Sequence, residues 1–129
     1  YAFGTLEYRS LRFETELLDV ENYQGNAVVN YTEREVPYTR IIEHKHFVFG
    51  TQPQTVITRE YPKAWQPGDE PYYTVNDARN TKLYEVYKAR AAAEPHVLFG
   101  GRLGSYRYYD MDKVIAAALE LADEELGNC

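Results

Sequence analysis

The sequence is poor in the residues that would place it in several common classes of protein. Only one of its 129 residues is cysteine, Cys129, so no disulfide can form within the chain, which fits a reducing cytoplasm. No stretch approaches the roughly 20 apolar residues that a membrane-spanning helix needs, and no signal-peptide pattern is present. Acidic residues outnumber basic ones, 20 to 14. The net charge of −6 disfavours a nucleic-acid binder, because phosphate contacts need a basic surface.

Tyrosine, in contrast, is abundant, with 13 copies against 5 Phe and 1 Trp. Its apolar ring and polar hydroxyl suit half-buried positions in a sheet. Several hydroxyls could equally line a polar groove that binds a ligand. The composition favours a sheet-containing domain under either interpretation.

The first half of the chain predicts an antiparallel sheet. Four segments have strand patterns with short links between them: residues 5–20, 27–32, 38–49 and 55–61. The third is the clearest, because a period of two divides its side chains between two faces. One face carries Arg40, Ile42, His44 and His46, and the other Ile41, Glu43, Lys45 and Phe47. Residues 62–73 are rich in Pro and Gly and predict a loop.

The second half predicts a helix over about 77–93, a strand over about 96–100 and a helix over about 111–126. Asp110 is suited to the N-cap of the last helix. A helix–strand–helix segment normally belongs to an α/β sheet with more strands than one. Together with a first residue, Tyr1, that is not Met, this predicts a piece of a longer protein.

The loop between the last strand and helix, FGGRLGSYRYYDMD at residues 99–112, is the most informative segment. Two glycines permit a close approach by a ligand or another backbone, and free amides at a helix N-terminus favour an anion. The loop therefore predicts either an anion or nucleotide site or a helix cap beside a structural loop. It is not the GxGxxG dinucleotide fingerprint, which no part of the 129 residues contains.

Two histidines at alternate positions of one predicted strand, His44 and His46, invite comparison with a zinc site. A structural zinc ion takes four ligands, and no third or fourth ligand lies at a convincing spacing. We therefore predict no metal site, and expect these side chains to pack or to hydrogen-bond to neighbouring strands.

The loop motif GGRLGSYRYYDMD resembles a signature of prokaryotic UDP-galactopyranose mutases near their C-terminus. Other motifs resemble the family in the same order and spacing: YRSLRFETE (8–16), NYQGNAVVNY (22–31), VPYTRIIEHKHF (36–47), REYP (59–62) and EPYY (70–73). The resemblance covers essentially the whole chain and implies the C-terminal portion of such an enzyme. It implies an α+β fragment, with residues 1–70 forming the antiparallel sheet of the substrate-binding region. Residues 71–129 would form the C-terminal return segment of a Rossmann-like FAD-binding domain.

The resemblance implies an enzyme that interconverts UDP-galactopyranose and UDP-galactofuranose for surface-glycan biosynthesis. The family uses reduced FAD, and the flavin N5 forms an adduct with the sugar. Its members are cytoplasmic homodimers without a metal. The glycine-rich loop that holds FAD lies upstream of the residues matched here. We therefore expect the isolated chain to be inactive, not to retain FAD, and to self-associate.

Particular residues are implied by their match to the family motifs. The substrate-binding set is Arg40, Tyr73, Tyr108, Asn30 and Glu60, in which the arginine and the two tyrosines face the diphosphate and the other two line the sugar pocket. Arg40 and Arg102 form the catalytic set. The cofactor-binding set is Arg102, Tyr109, Asp110 and Met111. Tyr109 stands where Leu is common in the family, and Thr74 where Pro is usual.

Two other functions remain open from the residues. One is a different FAD-dependent oxidoreductase of amine-oxidase-like fold. A diphosphate-binding set that includes Arg40 argues against this function. The other is a non-catalytic module that binds a nucleotide sugar without flavin.

Overall fold

The computed structural model describes residues 2–127, and Tyr1, Asn128 and Cys129 lie outside the described residues. The described chain is of the α+β class and divides into two compact units. The first, here called the sheet unit, comprises residues 9–70. The second, here called the helical unit, comprises residues 2–8 and 71–127. Residues 2–8, which the sequence analysis placed with the sheet, therefore pack with the helices instead.

The sheet unit is built from four antiparallel strands, as the sequence predicted. They are β1 (Tyr8–Leu18, of which Tyr8 belongs to the helical unit), β2 (Val28–Asn30), β3 (Arg40–Glu43) and β4 (Thr55–Ala64). Their order across the sheet is β2-β3-β4-β1. The register aligns Asn30 with Arg40, Arg40 with Glu60 and Glu60 with Phe13. Residues aligned in this way lie side by side on one face of the sheet.

The opposite face carries the fully buried apolar residues of the sheet unit. Ile41 and Ile57 are fully buried, and they are joined there by the carboxylate of Glu43 and by Thr55. Glu43 Oε1 accepts hydrogen bonds from Tyr23 N at 3.0 Å and Thr55 Oγ1 at 2.7 Å, and Oε2 accepts one from Gln24 N at 2.9 Å. A buried charge is tolerated only when its lone pairs are satisfied in this way.

The predicted strand over 38–49 is wrong beyond Glu43. There the chain turns into a 3-10 helix, His44–Val48, and closes with Phe49 in the left-handed region at φ 53°. The turn brings the buried ammonium of Lys45 to the carbonyl oxygens of Glu21 and Gln52, each 2.5 Å away. A buried cation needs such acceptors, and this requirement outweighs the alternating pattern of the sequence.

The loop predicted to begin at Pro62 begins later, because β4 continues through Pro62 to Ala64 and pairs with β1. Glu60 O accepts a hydrogen bond from Thr39 N, so the backbone N–H and C=O of Glu60 point toward β3. Those of Pro62 point the same way, because residues two apart in a strand direct their backbone groups to the same side. Strand β3 starts only at Arg40, opposite Glu60. The missing N–H of Pro62 therefore breaks no ladder hydrogen bond.

The helical unit contains a two-residue strand and three helices within the described residues. They are β5 (Tyr73–Thr74), α1 (Ala78–Ala91), α2 (Gly101–Gly104) and α3 (Met111–Leu126). The N-cap of α1 is Asp77, whose side chain accepts from Asn80 N at 2.7 Å. The two long predicted helices are confirmed, whereas residues 96–100 form no strand. A strand requires a neighbour to pair its backbone, and Val97, Leu98 and Phe99 remain half-exposed.

Helix α3 is apolar on two sides. Val114, Ala117 and Leu121 are partly buried within the helical unit. The other side is exposed and carries large apolar residues at helical spacing: Met111, Ile115, Leu119 and Leu126. Nothing in this arrangement tests whether the segment belongs to a Rossmann-like domain, which stays a prediction. Within residues 2–127, no helix has the length and apolar character needed to cross a membrane.

We predict that Glu43→Gln destabilises the sheet unit at neutral pH by about 1–3 kcal/mol, because the new amide would turn a donor toward an N–H or hydroxyl donor. Burial alone would raise the pKa of Glu43, but hydrogen bonds from Gln24, Tyr23, Thr55 and His46 lower it to about 2. The carboxylate's contribution to stability is therefore complete above about pH 4.5 and lost as the pH falls toward 2.

Urea denaturation at pH 7 and at pH 3 measures both effects. The difference between wild type and Glu43→Gln should shrink at the lower pH. The exposed Glu35→Gln is the matched control and should change stability little at either pH. An equal deficit at both values of pH would contradict the assignment.

Candidate functional site

Arg40 lies at the start of β3 and is held by one neighbour on each side. Its Nε donates to Asn30 Oδ1 on β2 at 2.9 Å, and its Nη1 lies 3.6 Å from Glu60 Oε2 on β4. The three side chains share one face because the register aligns their strands at this point. The Arg40 side chain is 38% exposed, whereas that of Glu60 is 9% exposed. We call these three residues the Arg40 cluster.

The Arg40 cluster presents a fixed cation at the surface of the sheet unit. The Nε edge of the guanidinium is engaged, but within residues 2–127 its Nη2 has no hydrogen-bond partner. An arginine braced in this way loses little side-chain entropy when it binds an anion, and its planar fork suits phosphate oxygens. Asn30 and Glu60 contact Arg40 in this arrangement, and their contact with a sugar stays a prediction.

A second cluster lies in the helical unit and contains Arg102, Tyr73 and Tyr108. The Arg102 guanidinium lies over the Tyr108 ring, 4.6 Å from its centroid, and 5.8 Å from the centroid of the Tyr73 ring. The two rings are 6.1 Å apart and tilted by 32°. Arg102 also donates to Tyr72 O at 3.4 Å. We call Arg102, Tyr73 and Tyr108 the Arg102 cluster.

The Arg102 cluster combines a cation with two phenol groups that donate hydrogen bonds. Cation–π contact with the rings restrains the guanidinium without neutralising its charge. Tyr108 is half-exposed and Tyr73 partly buried, so the polar edges of the rings are accessible on the helical unit. The sequence-predicted residues are thus brought together in two groups, one in each unit.

Tyr109, Asp110 and Met111 lead from this loop into α3. The guanidinium of Arg107 lies 5.1 Å from the centroid of the Tyr109 ring. Asp110 occupies the N-cap position as predicted, but its side chain makes no capping hydrogen bond. Met111 is 82% exposed. The first turn of α3 therefore has backbone amides without a side-chain cap, beside an exposed apolar side chain.

The two histidines occupy different environments. His44 Nε2 lies 2.8 Å from Thr58 Oγ1, and His46 Nε2 lies 3.0 Å from Glu43 Oε2. Within residues 2–127, no three His, Cys, Asp or Glu side chains are grouped to hold a metal ion. The His44 ring is thus hydrogen-bonded to β4, and the His46 ring lies against the buried carboxylate of Glu43.

Sequence reasoning missed Tyr106. The resemblance assigned Tyr108 to the substrate and Tyr109 to the cofactor, and it gave Tyr106 no role. In the structure only Tyr106 is buried, at 6% exposure, and its backbone lies in the left-handed region at φ 45°. The run YRYY gives no signal for this difference, because a positive φ is normally announced by Gly or Asn.

Comparison with known proteins gives one family and several relatives. The family model for UDP-galactopyranose mutase matches residues 1–108. The chain is 44% identical over 129 residues to a probable UDP-galactopyranose mutase of Klebsiella pneumoniae, covering 99% of this chain and 33% of the relative. It is 37% identical over 129 residues to dTDP-fucopyranose mutase of Escherichia coli, covering 99% of this chain and 34% of the relative.

A third relative extends the same similarity to another organism. The chain is 39% identical over 132 residues to UDP-galactopyranose mutase of Mycoplasma pneumoniae, covering 98% of this chain and 33% of the relative. The chain thus spans about a third of the length of the curated relatives it matches. Residues 109–129, with Tyr109, Asp110 and Met111, lie beyond the family match, whereas the similarity to the Klebsiella pneumoniae relative extends over 99% of the chain.

We predict that Asn30→Ala loosens Arg40, because the Nε–H loses its acceptor. A hydrogen bond donated by a charged guanidinium is worth about 1.5 kcal/mol or more, which corresponds to a roughly ten-fold or greater acceleration of the exchange of that proton with water. Nitrogen-15 NMR of the arginine Nε–H groups measures the rate. Asn26→Ala, in the loop before β2, is the control and should leave the Arg40 signal unchanged. An unaltered rate in Asn30→Ala would show that Asn30 does not hold Arg40.

Proposed function

The chain belongs to the UDP-galactopyranose mutase family, and from that membership we propose that it forms part of an enzyme interconverting UDP-galactopyranose and UDP-galactofuranose. The match over residues 1–108 and the names of two of the relatives described above support this proposal. The observation that carries it is the Arg40 cluster, a braced arginine with Nη2 turned to no partner among the described residues. Because the chain spans about a third of its relatives, the activity is proposed for the whole protein.

Arg40 is proposed to bind the diphosphate of the substrate. Its charge is partly offset by Glu60, 3.6 Å away, so a weak anion gains little at this position. A diphosphate carries more than one negative charge and several acceptor oxygens, and the free Nη2 group can donate to them. The brace from Asn30 fixes the direction of those donors before the ligand binds.

Arg102, Tyr73 and Tyr108 are proposed to act in the same reaction from the helical unit. The two phenol hydroxyls would donate to diphosphate oxygens, and Arg102 would stabilise negative charge as the bond from the sugar to the nucleotide breaks. The support is the clustering of the three side chains around one guanidinium. Fixed donors of this kind lower the barrier because they need no rearrangement during the reaction.

The residues at the start of α3 fit a bound FAD. Around Gly101, at φ 73°, no described atom other than its chain neighbours and the backbone of its own helix lies within 4 Å of the place a Cβ would take, so the backbone there is open to a close approach. Met111 offers exposed apolar surface, and the uncapped amides of α3 can donate to polar edges. Tyr109, Asp110, Met111 and Arg102 are therefore the proposed FAD contacts of this chain. Reduced FAD, when bound, would supply the nucleophile for the sugar.

The wider setting is proposed on the same basis. We propose a cytoplasmic enzyme that supplies furanose sugars for surface glycans and acts as a homodimer. The isolated 129 residues would be inactive, because FAD binding would need the rest of the protein.

A second candidate function has one specific observation in its favour. A relative that is 37% identical over nearly the whole chain is named dTDP-fucopyranose mutase. Both substrates carry a diphosphate, so the Arg40 cluster suits either. They differ in the 6-hydroxyl of the sugar, which fucose lacks, and in the nucleoside. Asn30 and Glu60, which are predicted to line the sugar pocket, contact Arg40 in the structure, and these contacts favour neither substrate over the other.

We predict that the complete protein, reduced and loaded with FAD, converts UDP-galactofuranose to UDP-galactopyranose. Arg40→Lys should lower kcat/KM by about ten- to a hundred-fold, because charge-assisted hydrogen bonds to phosphate are lost. Chromatographic separation of the two nucleotide sugars measures the rate. The exposed Arg34→Lys should keep wild-type activity. A flavin-loaded wild type without interconversion would refute the proposed function.

We predict that UDP-galactose is favoured over dTDP-fucose by at least about ten-fold in kcat/KM. The family match and the two relatives named UDP-galactopyranose mutase support the UDP sugar as the preferred substrate. Competition between the two pyranose substrates in one reaction measures the ratio. A preference for dTDP-fucose would establish the second candidate in place of the first.

A further inference from the structure

Tyr106 occupies an unusual position at the end of α2. Tyr106 N donates to Leu103 O at 3.1 Å and Arg107 N donates to Arg102 O at 3.1 Å. In the first bond the donor follows its acceptor by three residues, and in the second by five residues. This pair of bonds is the Schellman motif, which ends many helices. The left-handed residue of that motif is normally glycine, whereas here it is Tyr106 at φ 45°. A side chain is strained there and persists only when surrounding contacts hold it.

The contacts that hold Tyr106 are made by its buried hydroxyl. The hydroxyl donates to Glu7 O at 2.5 Å, and it lies 3.2 Å from Val75 O. It also accepts from Val75 N at 3.3 Å. Burial raises the pKa of Tyr106, so the hydroxyl stays protonated and remains a donor at neutral pH. One hydroxyl thus ties the loop to two other backbone segments of the helical unit.

The ring of Tyr106 is packed as firmly as its hydroxyl. The Tyr8 ring meets it edge-on at 5.5 Å, and the Tyr84 ring stacks on it at 5.8 Å. Tyr106 is the one hydrophobic residue of the helical unit that is buried within residues 2–127. The loop is therefore anchored at this residue, whereas Arg107 after it is exposed and Ser105 before it is only partly buried.

The anchored groups stand beside every member of the Arg102 cluster. Val75 follows Tyr73 by two residues, and Tyr106 precedes Tyr108 by two residues. The carbonyl of Arg102 itself accepts the hydrogen bond that closes the Schellman motif. Holding Tyr106 against Val75 consequently sets the separation of the Tyr73 and Tyr108 rings, and with it the guanidinium that lies over them.

We propose that Tyr106 is a positioning residue for the Arg102 cluster, and that its buried hydroxyl holds Arg102, Tyr73 and Tyr108 in the arrangement that binds the diphosphate of the nucleotide sugar. The identity of the ligand, a nucleotide sugar, rests on the proposed function. The ordering of residues 102–108 by Tyr106 does not depend on that function. Tyr106 acts through these neighbours and does not touch the substrate.

Two substitutions in the complete FAD-loaded protein test the proposal. Tyr106→Phe removes only the hydroxyl and keeps the ring between Tyr8 and Tyr84. Tyr84→Phe is the matched control, because its hydroxyl makes only a long contact of 3.5 Å to Gly104 O in the same aromatic group. The readouts are the dissociation constant of UDP by calorimetry, the split between KM and kcat, and amide hydrogen exchange over residues 102–108.

Tyr106→Phe should weaken UDP binding by about five- to ten-fold, the change expected for the loss of one buried hydrogen bond. It should also speed amide hydrogen exchange over residues 102–108. KM should rise more than kcat falls, and Tyr84→Phe should change none of these. Equal effects of the two substitutions, or a lowered melting temperature with UDP affinity intact, would overturn the proposal by making the hydroxyl merely structural.

A third variant separates the anchor from the cap. Tyr106→Gly relieves the positive φ and keeps the Schellman motif, yet it should lose order and UDP affinity at least as much as Tyr106→Phe. Retained order and affinity in Tyr106→Gly would refute the anchor. A wild type that does not bind UDP would refute the proposed function instead, and amide exchange alone would then decide whether Tyr106 orders the loop.

Discussion

The geometry of the sheet unit depends on the buried carboxylate of Glu43. A charge without water must be surrounded by donors, and here they come from the loop before β2, from the start of β4 and from the 3-10 helix. The position of the carboxylate therefore fixes where these segments lie. Glu43 is also the last residue of β3, and Arg40 lies at the other end of that four-residue strand and on the opposite face.

The Arg40 cluster and the Arg102 cluster each restrain a partly exposed arginine, but by different physical means. Arg40 is restrained by the side-chain amide oxygen of Asn30, which is directional, and by the charge of Glu60, which is partly neutralising. Arg102 rests on aromatic rings, which restrain it and leave its full charge available. The first arrangement favours a ligand with several negative charges, because it must compete with a carboxylate. The second suits charge that develops during a reaction.

The elements that local pattern determines were predictable from the sequence. Strands β1, β2 and β4 follow from alternation, and α1 and α3 follow from helical spacing with acidic N-cap residues. The errors share a cause, since each depends on a partner distant in the chain. Lys45 leaves the strand pattern to reach two loop carbonyls, and Pro62 stays in β4 because β3 has not yet begun beside it. Residues 97–99 have strand composition but no neighbouring strand.

The same limit applies to the candidate site. The resemblance to a family named Arg40, Asn30 and Glu60 as ligand contacts, and the structure adds that they contact one another. Pairing across β2, β3 and β4 creates that contact, and no single segment of sequence contains it. Tyr106 could not be predicted for a different, local reason: its role depends on a positive φ, which tyrosine rarely adopts.

The sparse burial of the helical unit has a thermodynamic consequence. Heat capacity rises on unfolding chiefly because apolar surface becomes hydrated, by about 12–15 cal/mol/K per residue in an ordinary domain. A unit whose α3 already exposes Met111, Ile115, Leu119 and Leu126 has little such surface left to hydrate. Its heat-capacity increment would be small and its stability curve correspondingly flat. Covering that face of α3 would therefore raise both the increment and the sharpness of the thermal transition.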